Sequence, residues 1–154
     1  MATQYTVENL LDPRFNDVVL WEEFVGAGQT NSRDVVNVQL SSTTTLKQGS
    51  VLFRAKGKTA TATWDVVNGD SDVADTNEYA ILIGSDLKTG DTVSFTSGVS
   101  KQSIALTRRA HLKDKAIRDI VTGLGVSAGE YANLKRLLAV QELLVKDTLA
   151  EILA

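Results

Sequence analysis

The run Tyr79-Ala80-Ile81-Leu82-Ile83, stopped by Gly84, decides the fold. It is apolar throughout, too short for a buried helix and without polar alternation, so it reads as a central strand covered on both faces. Working outward, the flanking sequence has the rhythm of further short strands. Val36, Val38 and Leu40 alternate, and Lys47-Gln48-Gly49 marks a turn between residues 43–46 and 51–55. Thr59-Ala60-Thr61-Ala62-Thr63-Trp64 puts threonines on one face and Ala60, Ala62 and Trp64 on the other, the pattern of a half-buried strand. Asn68-Gly69 suits the positive φ angles of a tight turn. Thr89-Gly90-Asp91 leads into Val93 and Phe95, and Ser97-Gly98 into Ile104 and Leu106. Six or seven short strands over residues 33–107 make a sandwich or barrel-like body.

Two different segments flank this body. Residues 1–32 read as an extended arm ending in a flexible joint, Gly26-Ala27-Gly28-Gln29-Thr30-Asn31-Ser32. Leu10, Leu11, Phe15, Leu20, Trp21 and Phe24 load the arm with large apolar groups, and Pro13 disfavours a helix running through Asp12. Keeping such groups in water costs about 25 cal/mol per Å² of apolar area. They therefore fold back onto the body or lie on another protein as an added strand or anchor.

Residues 108–154 read as helical. Leu112, Ala116, Ile117, Ile120 and Val121 share one face, and Gly123 and Gly125 end that segment. Ser127 and Glu130 have capping-box spacing. No breaker comes after them, so the pattern predicts one helix over residues 130–154, ~37 Å long at 1.5 Å per residue. Its stripe, which includes Leu134, Leu138, Leu144 and Ile152, suits core or an oligomer seam. The segment is expected to pack on the body or on a neighbour, and the class is α+β.

The 154 residues are 43% apolar and 23% charged, which fits one globular domain and argues against wholesale disorder. The absence of cysteine removes disulfides, thiolate nucleophiles and cysteine-based metal sites, and a lone histidine, His111, removes any site needing two imidazoles. The net charge of −3 gives no global field for nucleic acid. Residues 1–100 hold 7 Lys/Arg against 13 Asp/Glu, and residues 101–154 hold 9 against 6, a polarity that favours contacts between neighbours in an assembly. No apolar run is long enough to span a membrane, and the start of the chain lacks a secretory signal, so the expectation is cytoplasmic synthesis without export.

Candidate chemistry is thin. Gly69-Asp70-Ser71 resembles the nucleophile block of GDS-type esterases, but His111-Leu112-Lys113-Asp114 reverses the Asp-x-x-His order such enzymes need. Asp70, Asp72, Asp75 and Glu78 lack EF-hand spacing and read as a solvated acidic loop. Gly57-Lys58-Thr59 has the tail of a P-loop, yet its first glycine position is Leu52. Arg108, Arg109, Lys113, Lys115 and Arg118 gather around His111 without interleaved aromatics, and read as a solvated face or as partners for a neighbouring acidic body. The expectation is a non-enzyme with no catalytic residue, no metal and no cofactor.

The middle of the chain resembles the lambda-like head decoration, or capsid cement, proteins of tailed bacteriophages. Ser32-Arg33-Asp34-Val35-Val36, Thr45-Leu46-Lys47-Gln48-Gly49-Ser50-Val51-Leu52, Asn68-Gly69-Asp70-Ser71-Asp72, Ala80-Ile81-Leu82-Ile83 and Gly90-Asp91-Thr92-Val93-Ser94-Phe95 carry the likeness, over about residues 30–122. The resemblance implies a β-rich body that assembles as a homotrimer, or a dimer, on the outer surface of the virion. It would bridge major capsid protein subunits after shell expansion, with no nucleic acid or membrane partner. The arm before Arg33 would contact coat protein, making Leu10, Leu11, Phe15, Leu20, Trp21 and Phe24 the expected anchors. A tail or baseplate component is the alternative within the same class, and a small hydrolase using Ser71 or the acidic loop is the alternative outside it.

Overall fold

The computed structural model describes residues 18–26, 29–84 and 92–146. Its strands are β1 (Val19–Glu22), β2 (Phe24–Gly26), β3 (Gln29–Thr30), β4 (Arg33–Val38), β5 (Thr44–Lys47), β6 (Val51–Ala55), β7 (Asp65–Val66), β8 (Asn77–Gly84), β9 (Thr92–Phe95), β10 (Lys101–Leu106), β11 (Ala110–Lys113) and β12 (Leu143–Lys146). Helices α1 (Asp114–Leu124) and α2 (Ala128–Val140) lie between β11 and β12. The class is α+β, and among the described residues seven strands fall between Arg33 and Leu106.

The apolar run is the middle of β8, and β8 is the middle of a five-stranded sheet ordered β4-β10-β8-β6-β7. That sheet curls round until its ends meet. Val38 of β4 forms a parallel bridge to Trp64, just before β7. The Trp64 N–H donates to the Asn37 carbonyl at 2.8 Å, and the Gln39 N–H donates to the Trp64 carbonyl at 2.9 Å. The result is a small barrel joined at that corner.

Side-chain alternation explains why β8 is apolar at every position. Ala80 and Leu82 point into the barrel with Val36, Val38, Leu52, Trp64, Val66 and Ala105, and Leu46, Val93 and Phe95 from the β5–β9 pair join this interior. Tyr79, Ile81 and Ile83 point outward into a second core, where Ile117 and Val121 of α1 and Leu134 and Leu138 of α2 cover them. Each large apolar side chain so enclosed contributes about 1.5–3 kcal/mol relative to exposure.

A smaller sheet, ordered β1-β11-β12, completes the outer layer. β1 runs antiparallel to β11, whereas β12 runs parallel to it. Val19 near the start of the chain and Val145 near its far end both register with Leu112.

Several expectations need correcting. Residues 18–26, expected to be part of an arm, belong to the body: β1 pairs with β11, and Val18, Val19 and Glu22 are buried. The expected flexible joint is occupied by the antiparallel pair β2–β3. Lys47-Gln48-Gly49 does turn, with Gly49 at φ +95, but the flanking strands do not pair with each other. β5 joins β9 and β6 joins β8, because the Gly49 N–H donates to the Leu82 carbonyl and carries the chain from one sheet to the other.

Residues 59–63 form no strand. The Arg54 guanidinium donates to the Thr59 and Ala62 carbonyls and lies 4.3 Å from the Trp64 ring, holding the segment as a loop from which Trp64 alone enters the barrel. Gly69 is extended at φ −163, so Asn68-Gly69 is not a positive-φ turn. Leu112 belongs to β11 rather than to a helix.

The largest departure is at the C-terminal end. The Ser127 hydroxyl caps α2 by accepting from the Glu130 N–H at 3.3 Å, as expected, but the helix stops at Val140 instead of running to Ala154. The Gln141 carboxamide accepts from the Tyr79 N–H and donates to the Tyr79 carbonyl, both at 2.7 Å, acting as a strand partner for β8. Glu142 takes φ +62, and Leu143 drops fully buried into the outer core as β12 begins. Satisfying the buried Tyr79 backbone outweighs further helical bonds at the surface. Leu134 and Leu138 are core on α2, Leu144 is half-buried on a strand, and Ile152 lies outside the described residues.

Candidate functional site

The acidic residues singled out as a candidate metal loop are engaged in holding the fold. Asp70 accepts from the Ser127 N–H at 2.7 Å, Asp72 from the Asn68 N–H at 3.0 Å, and Glu78 pairs with Arg54. Asp75 pairs with Arg136 at 2.9 Å, and that guanidinium lowers the pKa of its carboxyl. Ser71 sits exposed on a 3-10 turn, Asp70–Asp72. Among the described residues no group of three or more Asp, Glu, His or Cys could hold a metal ion, and no helix is long and apolar enough to cross a membrane. A groove of about 520 Å³ beside Trp64 contains Arg54 and Lys58, with Arg54 already tied to Glu78 and to the loop carbonyls.

Lys113 apart, the basic cluster is likewise paired within the chain. Arg108 pairs with Asp34 at 2.6 Å, and Arg118 and Lys135 converge on the buried Asp114 at 2.9 and 3.0 Å, where the Tyr131 hydroxyl also donates at 2.7 Å. Arg109 bridges Glu23 at 2.8 Å and Glu142 at 3.0 Å. Hydrogen bonds from Arg109 and then from Asn31 depress the Glu23 pKa. Lys115 pairs with Asp119 on α1. A neighbouring acidic body is not needed to account for these cations.

Of the expected arm anchors, Leu10, Leu11 and Phe15 lie outside the described residues. Leu20 and Trp21 are on β1 and Phe24 is on β2. The structure shows how firmly this stretch is tied down. Val18 abuts Gly49, where a Cβ would come within 3.0 Å of both Val18 methyls and of Ile120 Cδ1, and the Val18 carbonyl accepts from the Lys113 N–H at 2.8 Å. Glu22, almost fully buried, receives Arg33 through two hydrogen bonds of 2.7 Å, a bidentate pair joining β1 to β4 of the barrel. The Ser32 hydroxyl accepts from the Glu23 N–H at 3.0 Å and donates to the Arg109 carbonyl at 2.7 Å.

The outer face of the three-stranded sheet holds a constellation that sequence reading missed. Trp21, His111 and Leu144 stand in register across β1, β11 and β12, with the indole and imidazole centroids 5.1 Å apart. Lys113 and Lys146 form the adjacent pair. Trp21 remains 47% exposed, and burial together with the nearby Lys146 lowers the His111 pKa. Only the β1–β11–β12 pairing unites these positions, 21, 111 and 144, so no local motif announces them.

This face combines an exposed indole with two lysines, on strands tied to the barrel through Glu22 and Arg33. No family model, no curated protein and no solved structure matches the chain.

Proposed function

We propose that this chain is a structural virion protein of the capsid-cement type. It binds the outside of the expanded capsid as a homotrimer and bridges major capsid protein subunits. The observation that carries the reading is the anchoring of β1. An apolar segment that grips another protein transmits load only if its base is fixed, and Val18, Val19 and the Glu22–Arg33 pair fix residues 18–22 to the barrel. Of the segments that resemble the decoration family, residues 32–36 enter β4, residues 45–52 span β5 to β6, residues 80–83 lie in β8 and residues 92–95 form β9, whereas residues 68–72 form a loop with a 3-10 turn at Asp70–Asp72.

The physics of such a role needs no catalysis. A clip touching several coat subunits makes each further contact at high local concentration. Preference for the expanded lattice stabilises that lattice through differential affinity. Leu10, Leu11 and Phe15 carry the grip, with Leu20, Trp21 and Phe24 at its base.

Co-sedimentation with purified shells tests this. The full chain should pellet with expanded, undecorated shells and not with unexpanded ones. Deleting residues 2–17 should leave the melting curve intact and abolish pelleting. Equal binding to both shell forms, or to neither, would refute the proposal.

A further inference from the structure

Asparagine followed by glycine occurs once in the chain, at Asn68-Gly69, and the fold leaves that pair chemically open. Among the described residues, Asn31, Asn37, Asn77 and Asn133 each donate a carboxamide hydrogen bond, to Glu23, the Thr61 carbonyl, the Asp72 carbonyl and Glu130 respectively. Asn68 is exposed, and its carboxamide has no partner among them. The Gly69 N–H donates to none of them either. Gly69 is extended at φ −163, and a Cβ built on it would meet no atom within 4 Å, so the main chain is uncrowded there.

We propose that Asn68 is a site of spontaneous deamidation, in which the Gly69 nitrogen attacks the Asn68 carboxamide carbon. That nitrogen gives its proton to solvent base and forms the new C–N bond, while the carboxamide C–N bond breaks and ammonia leaves. Water then opens the cyclic imide at either carbonyl, giving aspartate or isoaspartate. Glycine favours the attack because no Cβ crowds the nitrogen. The product falls in a pinned segment. The Val67 N–H donates to the Val51 carbonyl at 2.8 Å, and Asp70 accepts at 2.7 Å from the N–H of Ser127, the cap of α2. Between these pins the Asn68 carbonyl lies against Gly125, where a Cβ would come within 2.6 Å of its oxygen. Isoaspartate adds a methylene to the main chain inside that fixed span. Either product also sets a new carboxylate near Asp72, which already accepts from the Asn68 N–H at 3.0 Å, and the like charges repel. Ageing therefore loosens this loop from the start of α2, whether or not the chain ever meets a shell.

Peptide mass spectrometry reads the site after the full chain is aged, folded, at mildly alkaline pH and then digested. The amide-to-acid mass gain should accumulate in the peptide holding Asn68 and leave those holding Asn31, Asn37, Asn77 and Asn133 unchanged. An isoaspartyl methyltransferase should methylate the aged product. Gly69→Ala, which the extended backbone and open surroundings accept, should keep the wild-type melting curve and slow the gain severalfold. No gain at Asn68, an equal gain at the other four asparagines, or an undiminished rate in Gly69→Ala would overturn the assignment. Hydrogen exchange at the Ser127 amide should speed up in the aged wild type and not in aged Gly69→Ala. Equal protection of that amide before and after ageing would overturn the loosening of α2.

Discussion

Replacing Glu22 with glutamine tests how the strand that carries the arm is held. Glu22 has 2% of its side chain exposed and Arg33 has 24%, and the two meet through paired 2.7 Å contacts. Removing one member of a fully buried ion pair costs about 3–5 kcal/mol, because the other charge is left in a poor medium. Water reaches Arg33, and the glutamine oxygen still accepts one hydrogen bond, so the expected loss is about 2 kcal/mol. For a domain of this length that is a fall of about 4–8 °C in Tm. The double replacement Glu22→Leu/Arg33→Met should recover most of the loss, since no orphaned charge remains. Urea melts would measure the cycle, and hydrogen exchange should show the β1 amides opening ahead of the barrel. A Glu22→Gln protein within about 0.5 kcal/mol of wild type, or a double variant no more stable than the single, would refute this account.

Gly49→Ala adds a Cβ at φ +95, only 3.0 Å from Val18 and Ile120; urea melts should show about 1–3 kcal/mol of destabilisation. Leu138→Asp places a carboxylate in a fully buried site on α2. Several kcal/mol of desolvation should abolish the cooperative melt, and a folded, soluble variant would show that this face of α2 is open to water. His111 has its pKa lowered in the fold, chiefly by burial, from an ordinary value of 6.5. The unfolded chain therefore binds the proton first, so its contribution to stability is present above that value and is lost as pH falls below it, through the folded pKa. In His111→Asn, the dependence of Tm on pH between about 7 and 5.5 should flatten. An unchanged slope would assign the effect to other groups.

Legibility in the sequence tracks the range of the interaction. The central strand was visible because residues 79–83 are apolar at consecutive positions, and the Ser127 cap because its partner is three residues away. The α+β class came from those two signals. The end of α2 was invisible because Gln141 answers a backbone 62 residues upstream, while local propensity continues to favour helix. Residues 59–64 alternate as a strand should, yet Arg54 claims their carbonyls. The acidic and basic clusters were seen, but their pairing, Asp75 with Arg136 or Arg109 with Glu23, depends on tertiary placement. Likewise Glu22 and Arg33 show no special spacing, and the Trp21–His111–Leu144 row exists only once three distant strands align.

β8 serves as a party wall between two rooms, with Ala80 and Leu82 furnishing one and Tyr79, Ile81 and Ile83 the other. A shift of the wall by a single residue would swap every occupant between the two rooms. The register of this one strand is therefore held from both sides at once.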